Sequence, residues 1–161
     1  MAPRRRREQI PNMPSTHLSL NYHLVFSTRD REPWLTPAVR DRVHEYLGGV
    51  IRKLDGCLSL CVGGVADHIH MAVSLHSTHS LADVMRELKS QSSRWIREEF
   101  NLPKFAWQEG YGAFTFSSQD IETVRHYIKN QEEHHRVKTF QEEYVAMLKR
   151  AGVDYEERYL W

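Results

Sequence analysis

The sequence predicts a single α+β domain in which four antiparallel strands and two helices follow one another in the order βαββαβ, with further helices at the C-terminal end. Three observations carry that prediction. Runs of period-two hydrophobicity alternate with runs of helical period. Capping residues stand at the junctions between them. A length of 161 residues suffices to bury one core but hardly two.

The first strand is HLSLNYHLVFS, where Leu18, Leu20, Tyr22, Leu24 and Phe26 alternate with Ser19, Asn21, His23 and Val25, the pattern of a half-buried strand. Thr36 and Pro37 open the first helix as N-cap and first-turn residues. Its apolar stripe, Val39, Val43, Tyr46, Leu47, Val50, Ile51 and Leu54, persists across Gly48 and Gly49. Two strands follow, Cys57 to Val65 and His68 to Leu75, joined by a tight turn around Ala66 and Asp67. Ser80 with Asp83 caps a second helix, with Leu81, Val84, Leu88, Trp95 and Ile96 on one face. Its other face carries Arg86, Lys89, Arg94 and Arg97, either a solvated surface or a strip for phosphates. GYGAFTFSS gives the fourth strand, and Ser117 or Ser118 caps a third helix from about Asp120 to His135. Thr139 with Glu142 forms a capping box for a last helix that ends before Gly152, and the aromatic tail DYEERYLW is expected to dock on the body. This order is the split βαβ pattern of ferredoxin-like folds, with the first and third strands as the central pair and the helices on one face.

Residues 1–14 are expected to be a flexible basic tail and residues 15–161 the domain. Setting aside Met1 to Ile10, with four arginines and one glutamate, leaves 18 of the 22 basic groups against 20 of the 21 acidic ones, so net charge argues for no partner. The arginine run Arg4 to Arg7 is a solubilising tail or an arm for phosphates. No run approaches the roughly 18 apolar residues of a membrane span, so the chain is expected to be soluble and cytoplasmic, with no membrane partner. Cys57 and Cys61 lie about 13 Å apart at strand rise, too far for a disulfide, and read as buried thiols.

The chemistry concentrates in ADHIHMAV. His68 and His70 project from one face of a central strand while Ile69, Met71 and Val73 project from the other. With the helices on the Ile/Met/Val side, both imidazoles should emerge on the open face, where two neutral rings form an edge for a metal ion. On the third helix Ile121, Val124 and Ile128 define a stripe, and Tyr127 and Gln131 fall one turn apart along its border. Surface histidines and a packing tyrosine would give the same letters singly; the combination is what points to a site.

H-x-H on a central strand followed by Y-x-x-x-Q on a helix resembles the single-tyrosine HUH transposases of the IS200/IS605 type. The likeness runs from NYHLVFSTRDREPWLT through GGVADHIHMAVSL and WQEGYGAFTFS to YIKNQEEHH and the closing YLW. It implies that His68, His70 and Gln131 hold a divalent ion, Mg2+ or Mn2+, and that Tyr127 is the nucleophile. His134 is an alternative ligand, and His135 merely packs. The implied activity is cleavage and rejoining of single-stranded DNA at element ends through a 5′-phosphotyrosine, with DNA hairpins recognised. The implied assembly is a homodimer in which the tyrosine helix of one subunit completes the histidine site of the other, Lys104 to Gly112 supplying the slack. Arg86, Lys89 and Arg94 are the candidate DNA contacts. Three other functions fit the letters: a domesticated relative acting on chromosomal REP hairpins, a zinc hydrolase built on His68, His70 and His134, and a binding module that uses the sheet without catalysis.

Overall fold

A computed structural model of the chain describes residues 16–161. The whole of the expected tail, residues 1–14 with the arginine run, lies outside the described residues. The elements follow in the order β1 (Asn21–Ser27), α1 (Pro37–Arg52), β2 (Leu58–Gly64), β3 (His68–Ser74), α2 (Leu81–Glu99), β4 (Gly112–Phe116), α3 (Ile121–Lys129), α4 (Gln131–His134) and α5 (Phe140–Ala151). The strands form one antiparallel sheet in the order β2-β3-β1-β4, so β3 and β1 are the central pair as the split pattern requires. Their register sets His70 against Val25, and His23 against Ala72.

One face of the sheet is covered by α1 and α2. Leu24, Phe26, Ile69, Met71 and Val73 meet Val43, Leu47, Ile51, Val84, Leu88 and Ile96 in a continuous buried layer, each large side chain contributing about 1.5–3 kcal/mol on leaving water. The buried indole N–H of Trp107 in that layer donates to Ser92 Oγ at 2.9 Å, and Ser92 donates in turn to the Leu88 carbonyl at 2.6 Å.

The opposite face is not open. Helix α3 lies across β2 and β3, closing a second apolar layer of Cys61, Ala72 and Ile128 flanked by Val124, Tyr127 and Phe116. Residues Leu24 to Ser27 of β1 are therefore buried on both sides, not half-buried. Gly63 makes the close approach feasible: a Cβ there would stand 2.3 Å from the Ile128 carbonyl oxygen. The two cysteines are free and serve different layers, Cys57 the first and Cys61 the second.

The third helix is shorter than its periodicity suggests. At Asn130 (φ −100°, ψ 27°) the backbone leaves helical values, and the side-chain amide turns back to the His126 ring at 3.0 Å, a local bond of the kind that competes with regular helix. The chain resumes as the single turn α4. Ser117 caps a 3-10 turn at residues 118–120 by accepting from the Gln119 N–H, and Thr36 makes no side-chain cap, leaving Pro37 to start α1. The expected capping box is present: Thr139 Oγ1 accepts from the Glu142 N–H, and the Glu142 carboxylate accepts from the Thr139 N–H at 2.9 Å. Gly152, at φ 65°, closes α5 in the left-handed region. The C-terminal tail docks in part, the Leu160 carbonyl accepting from Gln108 Nε2 at 3.4 Å while Tyr159 stays exposed. Among the described residues no helix is long and apolar enough to cross a membrane.

Candidate active site

Strand β3 sends His68 and His70 to the face beneath the C-terminal helices, and both rings are buried, at 1 % and 0 % exposure. The sequence expectation of exposed imidazoles fails because α3, α4 and α5 fold back over them. Each ring is held by its Nδ1. His68 Nδ1 donates to Asp67 Oδ1 at 2.7 Å, and Asp67 Oδ2 accepts from Arg31 at 2.7 Å. Burial alone would raise the Asp67 carboxyl, but His68 and Arg31 bring it down to about 2. His70 Nδ1 meets His23 Nε2 at 2.8 Å. Burial, reinforced by His70, lowers His23 to about 3, and burial with the other imidazoles keeps His70 well below the ordinary range. Carboxylate or imidazole behind Nδ1 is the arrangement that fixes a metal-ligating histidine and aims its Nε2 forward.

The C-terminal helices deliver three further groups. Gln131, 1 % exposed, donates from Nε2 to the Tyr127 carbonyl at 3.2 Å and to Glu143 Oε1 at 3.3 Å. His135 donates from Nδ1 to the Lys138 carbonyl at 2.9 Å, which leaves its Nε2 bare in the neutral ring. That Nε2 lies 3.0 Å from His68 Nε2, 3.1 Å from Gln131 Oε1 and 3.1 Å from Glu143 Oε2. Glu143, 2 % exposed, also faces His70 Nε2 and His134 Nε2, each at 3.7 Å. Burial pushes the Glu143 carboxyl up to about 7, with His68 pulling the other way.

These atoms can be tested as a cation site. His68 Nε2, His135 Nε2 and a carboxylate oxygen of Glu143 fall within 4.8 Å of one another. With both Nδ1 protons spent on Asp67 and Lys138, the two facing Nε2 atoms are acceptors only, as are Gln131 Oε1 and, in its ionised form, the Glu143 carboxylate. Burial, then His68, lowers His135, so the ring favours its neutral form. His70 Nε2 and Glu143 Oε2 are buried without a hydrogen bond, the 3.1 Å contact of Glu143 to His135 lacking the geometry for one. Apart from the Gln131 amide N–H on Glu143 Oε1, the atoms that converge here are acceptors when Glu143 is ionised, and such a set fits a divalent cation.

Tyr127 sits at the edge of this cluster, half-buried. Its ring meets those of His70 and His23 edge-on, both at 5.8 Å between centroids, and that of His134 at 5.1 Å. The tyrosine therefore lies against the histidines of its own chain. His134 borders the cluster through Glu143, whereas His135, expected only to pack, is at its centre. His23, Asp67, His135 and Glu143 are the members that sequence reasoning missed. Arg86, Lys89 and Arg94 are not brought to this face. They lie on α2 across the sheet, where Arg86 pairs with Asp83 at 2.6 Å and the Lys89 ammonium donates to the Gln108, Glu109 and Gly110 carbonyls.

One sequence family matches most of the chain: the profile described as "Transposase IS200 like" covers residues 16–131. The chain belongs to the IS200-like transposase family. The match takes in His68, His70, Tyr127 and Gln131 and ends before His135 and Glu143. No curated protein matches this transposase. Among solved structures it is similar to a candidate transposase from Deinococcus radiodurans, with a TM-score of 0.59 and 24% identity over 72% of this chain and 93% of that one. It is also similar to a REP-associated tyrosine transposase bound to a REP hairpin, with a TM-score of 0.55 and 15% identity over 76% of this chain and 73% of that one. At these identities the likeness is one of fold.

Proposed function

We propose that this transposase cleaves and rejoins single-stranded DNA, at hairpin-bearing ends, through a covalent bond between Tyr127 and a 5′-phosphate. The observation that carries the reading is the packing of Tyr127 against His70 at the rim of a buried, acceptor-rich cluster. His68, His70, His135 and Glu143, with Gln131 Oε1, would hold a divalent ion. Three imidazoles in the set favour Mn2+ over the strictly oxygen-seeking Mg2+. When bound, the ion supplies charge stabilisation and orientation to a phosphodiester.

The chain's own residues supply the rest. A phenol with its pKa near 10 is a weak nucleophile at neutral pH, so position must compensate, and the His23, His70 and His134 rings fix the Tyr127 ring on three sides. Attack of Tyr127 Oη forms a P–O bond as the bond to the 3′-oxygen breaks, and the phenolic proton ends on that oxygen. The phosphodiester energy is retained, so the reverse step with another 3′-hydroxyl rejoins the strand. Because Tyr127 already stands beside its own histidines, each chain can cleave in cis. Exchange of tyrosine helices in a homodimer would require α3 to leave Gly63. The setting for such DNA chemistry is the cytoplasm.

The test incubates wild type and Tyr127→Phe with Mn2+ or Mg2+ and labelled single strands from both flanks of the gene, on a denaturing gel. A labelled band migrating with the protein, lost in the Phe variant and without metal, is expected. Two imidazoles and a carboxylate are also a zinc-hydrolase set, and that reading requires cleavage to survive Tyr127→Phe.

A further inference from the structure

Three cavities join end to end across the face that carries Tyr127. The middle one, of about 240 Å³, lies between α3 and α5, with His23 on its floor and Tyr127 in its wall. It shares Tyr127, His134 and Lys138 with a cavity along α3 and α4, and His23 and Arg150 with a third, of about 250 Å³, that opens onto Phe114 and Phe116 of β4. Together they make a trench that passes over the tyrosine. One cation stands at each junction, Lys138 on one side of Tyr127 and Arg150 on the other, and neither forms an ion pair among the described residues. The far end is walled by two half-buried aromatic rings.

We propose that this trench is the path of the DNA single strand, with Lys138 and Arg150 gripping phosphates on either side of the scissile one and Phe114 and Phe116 stacking bases. Unpaired cations spaced along a groove track a phosphate backbone, and aromatic faces accept any unpaired base. A helix wall on each side of the trench suits one strand. Lys138 and Arg150 lie beyond the family match at residues 16–131, so they are features of this chain's C-terminal helices. The inference rests on the proposed DNA chemistry for its occupant, but its test reads binding.

The experiment titrates full-length protein, without added metal, into a fluorescein-labelled oligothymidylate and follows anisotropy over a range of salt. The slope of log K against log salt should shrink by about 0.7 for each phosphate contact removed, hence by about 1.4 in Lys138→Ala/Arg150→Ala. Lys53→Ala, at the end of α1 on the other face, should leave it unchanged. Phe114→Leu, which keeps apolar bulk, should weaken binding about 5- to 150-fold with its melting temperature preserved. A double variant with wild-type affinity and slope overturns the strand path, even if the Tyr127 adduct forms. Reduced affinity and slope in the double variant, with no adduct from wild type, would uphold the path and overturn the covalent chemistry instead.

Discussion

Asp67 decides what His68 can do. By accepting the Nδ1 proton at 2.7 Å while itself held by Arg31, it fixes the tautomer that presents a bare Nε2 to the cluster. Asp67→Asn removes that charge and weakens the Arg31 anchor, so Mn2+ affinity by titration calorimetry should fall about 10- to 100-fold; unchanged affinity would remove Asp67 from the site's support. His44, outside the site, gives a pH signature. Burial first, then the Arg40 charge, hold it down at about 4, and its Nε2 is buried without a partner. Between about 6.5 and 4 the unfolded chain takes a proton that the folded ring refuses, so stability falls as pH drops through that window, by about 2 to 3 kcal/mol. Above 6.5 His44 contributes no pH dependence. In urea unfolding the stability difference between wild type and His44→Gln should be constant above that window and change within it; a difference that stays constant throughout would contradict the assignment. The strand period made His68 and His70 legible as one pair on one face. His23 was missed, although a polar residue on that side of β1 must meet β3 in a sheet whose centre is β1 and β3, because a lone strand histidine carries little weight by itself.

At the scale of elements, the site depends on how closely α3 approaches the sheet. Gly63→Ala places a Cβ against the Ile128 main-chain carbonyl, which cannot move without the helix. Overpacking of this kind costs about 1–3 kcal/mol, a drop in melting temperature of roughly 2–12 °C, and adduct formation should fall further because Tyr127 is one residue from the contact. A variant with wild-type melting and activity would show that α3 need not sit there. The capping box at Thr139 announced α5 in the sequence and sets its phase. Glu143 then falls three residues after Phe140 and four before Met147, a carboxylate within an apolar stripe, and that was the available signal. What it meets, His135 and His68, depends on the break at Asn130, which periodicity does not report. The open face predicted for the histidines failed for the same reason: nothing local in α3 says which surface its stripe will cover.

For the whole molecule, the question is whether one chain makes a complete site. The four-stranded order and its central pair were readable because each junction carries a cap or turn signal, whereas the return of the C-terminal helices over the sheet is a long-range event. With Tyr127 against its own His70, mixing Tyr127→Phe with His68→Ala protein should give no adduct beyond the sum of the two variants alone. Restored adduct formation on mixing would mean that the tyrosine helices exchange between copies.

The most direct measurement is peptide mapping by mass spectrometry after reaction with a cleavable single strand and Mn2+. Trypsin cuts after Arg125 and Lys129, releasing a four-residue peptide that contains Tyr127. That peptide should carry the mass of a 5′-phosphorylated nucleotide after nuclease trimming. The modification on any other peptide, or cleaved DNA with every peptide unmodified, would contradict Tyr127 as the nucleophile.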